Sequence, residues 1–245
     1  PKVLHPIAGA PLLHHAMQTG SALGPARTII VAGHGAEQVQ AAAQDYDPQA
    51  EVVLHAEQLG TSHAVDQARD RLQGFKGDAV VLFGDTPFLR PETLERMLEA
   101  RKAHDVVVLG FDVAELQPRY GRLVMDGDRL LRIVEYKDAT EAERQIHFTN
   151  SGLLACKAAT LFDLIAGLSN DNASGEYYLT QVAELANARG LSVTAVKCDE
   201  AETLGVDSRA DLAAADASFQ ARARAALLAD GVTLAAPDRA GGRRG

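Results

Sequence analysis

Cysteine is scarce in this 245-residue chain: there are two, Cys156 and Cys198, in no CxxC spacing and with no histidine cluster beside them. That excludes a disulfide scaffold or a zinc framework, and it reads as reduced, buried thiols of a cytosolic protein. Long apolar runs are missing too. No stretch of about eighteen apolar residues occurs, so no membrane span is expected, and no signal peptide opens the chain. Positive charge is in the minority, with 24 Lys and Arg against 33 Asp and Glu, a net charge of −9. An electrostatic grip on nucleic acid is thereby excluded as the main activity. A phosphorylated small substrate is not, because a local basic pocket or a metal ion can offset the overall sign. Three catalytic signatures are absent as well. Gly33-His34-Gly35 lacks the third glycine of a dinucleotide fingerprint, position 38 being Gln, and neither a GxSxG elbow nor an HExxH helix occurs.

What is present is an ordinary globular composition, 47% hydrophobic and 23% charged, on a chain long enough for one large core or two smaller domains. Strand-like and helical patterns alternate. Strands are expected at 27–32, 51–54, 79–83 and 105–111, with helices at 37–43, 62–72 and 91–103 between and after them. This order predicts parallel strands with right-handed crossovers, hence a layered α/β sheet. The middle changes character: 122–125 and 130–135 flank the hairpin signal Asp126-Gly127-Asp128, and 147–156 is a further extended run. Such an antiparallel insertion is suited to form one wall of a substrate pocket. A helix at 177–188, a strand at 191–196 and an alanine-rich helix at 210–229 complete the pattern. Residues 1–232 read as one domain, and 233–245, rich in Gly and Arg towards the end, as a flexible tail or the start of a linker. The chain opens on Pro1-Lys2-Val3-Leu4-His5 and a helix at 12–23, with no strand ahead of it. A doubly wound sheet usually begins with a strand at its middle, so the folding unit is expected to extend ahead of Pro1.

Several clusters carry possible chemistry. The run Val80-Val81-Leu82-Phe83-Gly84-Asp85 delivers a carboxylate at the carboxyl end of a buried strand, where open α/β sheets place their ligands. Asp85 either offers oxygens to Mg²⁺ or caps the helix that Pro87 and Pro91 introduce. Asp207, after Leu204-Gly205-Val206, offers a second carboxylate for the same ion, or caps the long helix behind it. Lys2 alone reads as a surface charge. Gly60 and Thr61, where a strand turns into a helix, allow close approach of an anion or base edge, or make a plain turn. Tyr120-Gly121-Arg122 with Glu135-Tyr136-Lys137-Asp138 reads either as a carbohydrate wall or as a salt-bridged hairpin. Asn150-Ser151-Gly152 and 172–178 add polar side chains and glycines that admit a ligand.

Taken in order, Pro1-Lys2-Val3-Leu4-His5, Ala56-Glu57-Gln58-Leu59-Gly60-Thr61, Phe83-Gly84-Asp85, Tyr120-Gly121-Arg122, Glu135-Tyr136-Lys137-Asp138-Ala139 and Gly175-Glu176-Tyr177-Tyr178 resemble the uridyltransferase domain of bacterial N-acetylglucosamine-1-phosphate uridyltransferases. The resemblance runs from Pro1 to about Val232. It implies a doubly wound α/β nucleotidyltransferase fold, with a mostly parallel sheet and a small antiparallel insertion as the sugar-binding wall. It implies a cytoplasmic enzyme that joins UTP to N-acetylglucosamine 1-phosphate with Mg²⁺, giving pyrophosphate and UDP-N-acetylglucosamine, a precursor of peptidoglycan and lipopolysaccharide. Lys2 would contact phosphate, His55, Gly60 and Thr61 the nucleotide, and Asp85 and Asp207 the metal. Phe83 and Gly84 would belong to the nucleotide- and sugar-binding residues beside Asp85, and Gly121, Glu135 and Asn150 would line the sugar pocket. The family departs from this chain in three places. Its glycine-rich loop precedes Pro1, its usual base-reading glutamine is His55 here, and its usual asparagine is Asp207. The family commonly continues into an acetyltransferase domain through which it trimerises. Two rival readings stay open: the same chemistry on glucose 1-phosphate with UTP or dTTP, and a non-catalytic sugar-nucleotide-binding module.

Overall fold

The computed structural model describes residues 1–117, 119–206 and 208–234. After a single 3-10 turn at Lys2–Leu4, a hairpin forms from β1 (Pro6–Ile7) and β2 (Ala10–Pro11), closed by Ala8 and Gly9 at positive φ. Helix α1 (Leu12–Ser21) leads to β3 (Ile29–Ala32), α2 (Ala36–Tyr46), β4 (Glu51–Leu54), α3 (Thr61–Asp66) and β5 (Asp78–Val81). Then come α4 (Pro91–Arg101), β6 (Val106–Asp112), the hairpin β7 (Arg122–Asp126) and β8 (Arg129–Val134), and the single-turn α5 (Glu141–Arg144). The chain continues through β9 (Phe148–Lys157), α6 (Ala158–Ile165), α7 (Gln181–Ala188), β10 (Val193–Cys198) and α8 (Arg209–Ala229).

Six strands form the main sheet in the order β5-β9-β6-β10-β8-β7. β6 and β10 pair in parallel from Val106↔Val193 to Phe111↔Cys198, whereas β9 runs antiparallel to both β5 and β6. β5, β6, β10 and β7 therefore point one way and β9 and β8 the other. The expected insertion is real, but its third strand does not stay at the edge: β9 enters the middle of the sheet. The reason lies in its composition. Leu153, Leu154, Ala155 and Cys156 are all buried, and a strand apolar on successive residues needs cover on both faces. β3 and β4 pair in parallel with each other and make no ladder to the main sheet among the described residues.

Alternation along β6 divides the core. Val106 and Val108 face α6 and α7 with Leu161, Leu164, Val182 and Ala186. Val107, Leu109 and Phe111 face α4 with Leu94 and Met97. The result is a three-layer α/β/α arrangement. Both cysteines lie in this core, and burial pushes each thiol up to about 12, which keeps them protonated.

Two expectations change, and one helix is new. The helix expected at 62–72 is split into α3 and a 3-10 turn at Arg69–Leu72. The helix expected at 177–188 begins at Gln181, because the Tyr177 backbone is already committed across the chain, its N–H donating to Leu59 O at 2.8 Å. Helix α6 had no expectation at all. It follows β9 without a turn, has no side-chain cap, and buries Ala158, Leu161, Phe162, Leu164 and Ile165, so neither a boundary signal nor a polar face marks it. The tail at 235–245 and Asp207 lie outside the described residues.

Candidate active site

The site begins where β5 ends. A side-chain carbon at Gly84 would lie 3.3 Å from Val3 Cγ1, so the missing side chain lets the Lys2–Leu4 turn settle on the strand end. That brings Lys2 Nζ to 2.6 Å from Asp85 Oδ2, with both side chains still partly open to solvent. Asp85 is thus no helix cap. Helix α4 starts after Arg90 with no side-chain cap, and the acceptor for the Arg90 N–H is Glu202 Oε2 at 3.2 Å. The Asp85 carbonyl in turn accepts from Val206 N–H at 3.1 Å, tying the chain just before Asp207 to the same strand end. The cap of α8 is Ser208, in a reciprocal box with Asp211, so the long helix needs no other cap.

One strand over, Asn150-Ser151-Gly152 forms a β-bulge. Val108 pairs with Leu154 and Gly110 with Asn150, so three residues of β9 oppose Leu109 alone. Its backbone is satisfied locally: Ser151 Oγ donates to Leu109 O at 2.7 Å, and Asn150 Oδ1 accepts from Gly152 N–H at 3.0 Å. Bulges re-aim side chains beside sites. Here the Asn150 Oδ1 is held by the bulge and its NH₂ group has no protein partner among the described residues. Gly152, at φ 89°, lies under the Phe83 ring; a Cβ there would sit 3.0 Å from Cζ and nearer still to Cε2. Phe83 thereby couples the bulge to Gly84 and Asp85.

The wall is completed by Gly121, whose carbonyl accepts from Asn150 N–H at 2.9 Å, and by Glu135, which accepts from Thr180 Oγ1 at 3.0 Å. Burial raises the Glu135 carboxyl above its usual range; the Thr180 hydrogen bond opposes this and Asp138 adds to it. Segment 135–138 is also stitched to the 170s loop, with Asp138 Oδ1 accepting from Ala173 N–H at 3.1 Å.

The nucleotide candidates lie apart, at the end of β4. His55 is 9% exposed and its Nε2 lies 2.9 Å from His63 Nδ1. Gly60 does allow a close approach, but the approaching group is protein: a Cβ would stand 2.5 Å from Tyr177 O. Thr61 Oγ1 accepts from Leu179 N–H at 2.9 Å, and Ser62 N–H donates to Tyr177 O at 3.0 Å. These contacts anchor the 177–180 segment that presents Thr180 to Glu135. A cleft of about 800 Å³ lined by Arg90, Thr93, Asp112, Lys197 and Glu202 contains none of these residues.

Residues 1–171 match the MobA-like NTP transferase domain family. The chain belongs to that family. It is 71% identical over 238 residues to the bifunctional protein GlmU of Ruegeria pomeroyi, covering 97% of this chain and 53% of that protein. Against the GlmU of Roseobacter denitrificans the identity is 60% over 237 residues, covering 97% and 52%. The chain spans about half the length of the curated relatives it matches. A UDP-glucose pyrophosphorylase solved with UDP-glucose superposes with TM-score 0.72 at 15% identity, covering 91% of each chain. A CMP:2-keto-3-deoxy-manno-octonic acid synthetase solved with CTP gives 0.66 at 17%, covering 90% of this chain and 92% of that one. At these identities the likeness speaks for the fold, an α/β nucleotidyltransferase.

In this NTP transferase domain the structure joins Lys2 to Asp85, Gly121 to Asn150, and Glu135 to Thr180, with Phe83 packed against the bulge that follows Asn150. Thr180, His63 and Glu202 escaped the sequence reading. Thr180 sits three residues after Tyr177 in a quoted motif and His63 two after Thr61, so adjacency was the only clue. Nucleotidyltransferases generally use a divalent metal. Among the described residues no three His, Cys, Asp or Glu come together. Asp85 nonetheless fits such an ion as one ligand: it is a carboxylate at a strand end, open to solvent and already neutralised by a cation.

Proposed function

We propose that this domain transfers a uridylyl group from UTP to N-acetylglucosamine 1-phosphate, giving UDP-N-acetylglucosamine and pyrophosphate. The observation that carries this reading is the Lys2–Asp85 pair at 2.6 Å beside a bulged wall that offers Asn150 and Glu135. The ordered motifs and the 71% identity to a GlmU protein support the choice of substrates. A sugar-phosphate oxygen attacks the α-phosphorus of UTP, and the bond to the pyrophosphate oxygen breaks on the opposite side. Attacking and leaving groups are both anionic, so catalysis is mainly alignment and charge neutralisation.

In this reading Lys2 moves from Asp85 to the phosphates, its ammonium offsetting their charge. Glu135 accepts hydrogen bonds from sugar hydroxyls, and Thr180 holds that carboxylate in place. The Asn150 NH₂ donates to the sugar, because its carbonyl oxygen is occupied by the bulge. Gly121 leaves room for the ring. Gly60 and Thr61 act through the backbone that they hold, and His55 borders the base. Asp85 and Asp207 would hold Mg²⁺, which when bound supplies positive charge to the phosphate oxygens. No helix of the described residues is long and apolar enough to cross a membrane. We place the reaction in the cytoplasm, with trimers where an acetyltransferase domain accompanies this one.

The test is pyrophosphate release by the full-length protein with UTP and N-acetylglucosamine 1-phosphate, with glucose 1-phosphate and dTTP as competitors. Asp85→Asn is expected to cut turnover by orders of magnitude and leave the thermal midpoint within a few degrees. Near-normal turnover in that variant, or preference for glucose 1-phosphate in the parent, overturns the reading.

A further inference from the structure

His55 and His63 place two imidazole nitrogens 2.9 Å apart, Nε2 of His55 and Nδ1 of His63. Such a contact holds one proton, and distance alone does not tell which ring owns it. Gln67 decides. Its Nε2 lies 3.0 Å from the His63 backbone carbonyl, which can only accept, so the side-chain atom there is the amide nitrogen. The same NH₂ group lies 3.4 Å from His63 Nε2, and an amide NH₂ can only donate. His63 Nε2 therefore carries a lone pair, its proton sits on Nδ1, and that proton is given to His55 Nε2. The His55 proton is left on Nδ1.

His55 Nδ1 has no protein partner among the described residues, and it is not among the fully buried polar atoms that lack one. It keeps a path to solvent or ligand. Burial first, and His63 second, lower the His55 pKa from 6.5, which keeps the ring neutral and the one-proton description intact at neutral pH.

We infer that His63, set by Gln67, fixes the tautomer of His55, so that His55 offers the pyrimidine a single N–H donor, suited to a ring carbonyl oxygen and not to an amino group. This rests on the reading that His55 borders the base. His63 is then a positioning residue: it acts through His55. A base with a carbonyl at that edge satisfies the donor, whereas an exocyclic amine sets donor against donor and leaves both unpaired, the costly case for buried polar groups.

The experiment uses the full-length protein labelled with ¹⁵N-histidine. Two-bond proton–nitrogen correlation spectra report which ring nitrogen is protonated, with His55→Gln identifying the His55 signals. The expected spectrum shows His55 protonated on Nδ1 with a bare Nε2. His63→Asn keeps an N–H donor near the same point and should preserve that tautomer. His63→Asp offers only an acceptor there and should move the His55 proton to Nε2. Alongside, the ratio of kcat/KM for UTP over CTP should hold in His63→Asn and fall by about tenfold in His63→Asp, the worth of one hydrogen bond. A merely structural histidine would not reverse a tautomer between two variants of nearly equal size. An Nε2-protonated His55 in the parent, or an identical tautomer in both variants, overturns the tautomer relay. The expected tautomers with a UTP/CTP ratio unmoved by His55→Ala would instead sink the reading that His55 borders the base.

Discussion

Gly152→Ala tests whether the bulge on β9 is what couples Asn150 to Asp85. Two costs add at this position. The backbone stands at φ 89°, a region that a side chain makes unfavourable by ~1–2 kcal/mol. The new Cβ would also overlap the Phe83 ring, 3.0 Å from Cζ with Cε2 nearer still, and overpacking of this kind costs ~1–3 kcal/mol. The sum is ~2–5 kcal/mol, which for a chain of this size lowers the thermal midpoint by roughly 4–20 °C. Gly127→Ala is the matched control. Its φ is 57°, and nothing lies within 4 Å of a Cβ built there, so it carries the backbone cost alone, ~1–2 kcal/mol. Urea unfolding of both variants isolates the clash as their difference. Activity separates them further. Relief of the overlap requires Phe83 to move, and Gly84 and Asp85 follow it directly in the chain, so Gly152→Ala should lose turnover beyond what its stability explains. Gly127, at the tip of the β7–β8 hairpin, should not. Equal destabilisation of the two variants, or full activity in Gly152→Ala, would refute the coupling through Phe83.

Further outcomes follow from single contacts. Thr180→Val removes the hydrogen bond that lowers the Glu135 pKa, so the acid limb of the pH profile of KM for the sugar phosphate should move to higher pH; an unmoved limb means that Glu135 does not bind the sugar as a carboxylate. The His55 pKa is lowered from 6.5, by burial and then by His63, so below pH 6.5 the unfolded chain takes up a proton that the folded chain refuses. The His55 contribution to stability should therefore fall as pH drops from 6.5 through the depressed value and stay flat above 6.5, and His55→Gln should remove that slope in urea titrations. Glu202→Ala strips the acceptor from Arg90 N–H and from the buried Thr93 hydroxyl, bonded at 3.2 and 2.7 Å, and should cost about 2 kcal/mol by urea unfolding; an unchanged midpoint would mean water replaces the carboxylate.

The parts legible in the sequence were those whose cause is local. Asp126-Gly127-Asp128 between two alternating runs marked the β7–β8 hairpin, and it forms at Arg122–Asp126 and Arg129–Val134. The apolar run at 105–111 identified β6 as a strand, which the structure buries on both faces, and the run before Gly84-Asp85 identified β5, which ends at Val81 and leaves Asp85 in the turn just beyond it. Six short motifs in order were enough for the family and supplied the candidate residues, because motif spacing is a property of the chain.

What spacing does not carry is which distant segments lie side by side. That β9 enters between β5 and β6 depends on what else competes for those edges. The bulge at Gly152 exists only against β6, since three residues opposing one has no meaning in a single strand. Thr180 became a site residue because Gly60 lets Tyr177 cross the start of α3 and fixes the following residues opposite Glu135. The sequence by itself determined the local elements, the apolar alternation and the chemical groups available. The tertiary structure decided the pairs: Lys2 with Asp85, Asn150 with its own bulge, and His63 behind His55. The Lys2–Asp85 and His55–His63 contacts join side chains brought within about 3 Å by packing of the intervening chain, and the Asn150–Gly152 contact exists because pairing with β6 forces the bulge; each is an energy that belongs to neither residue alone.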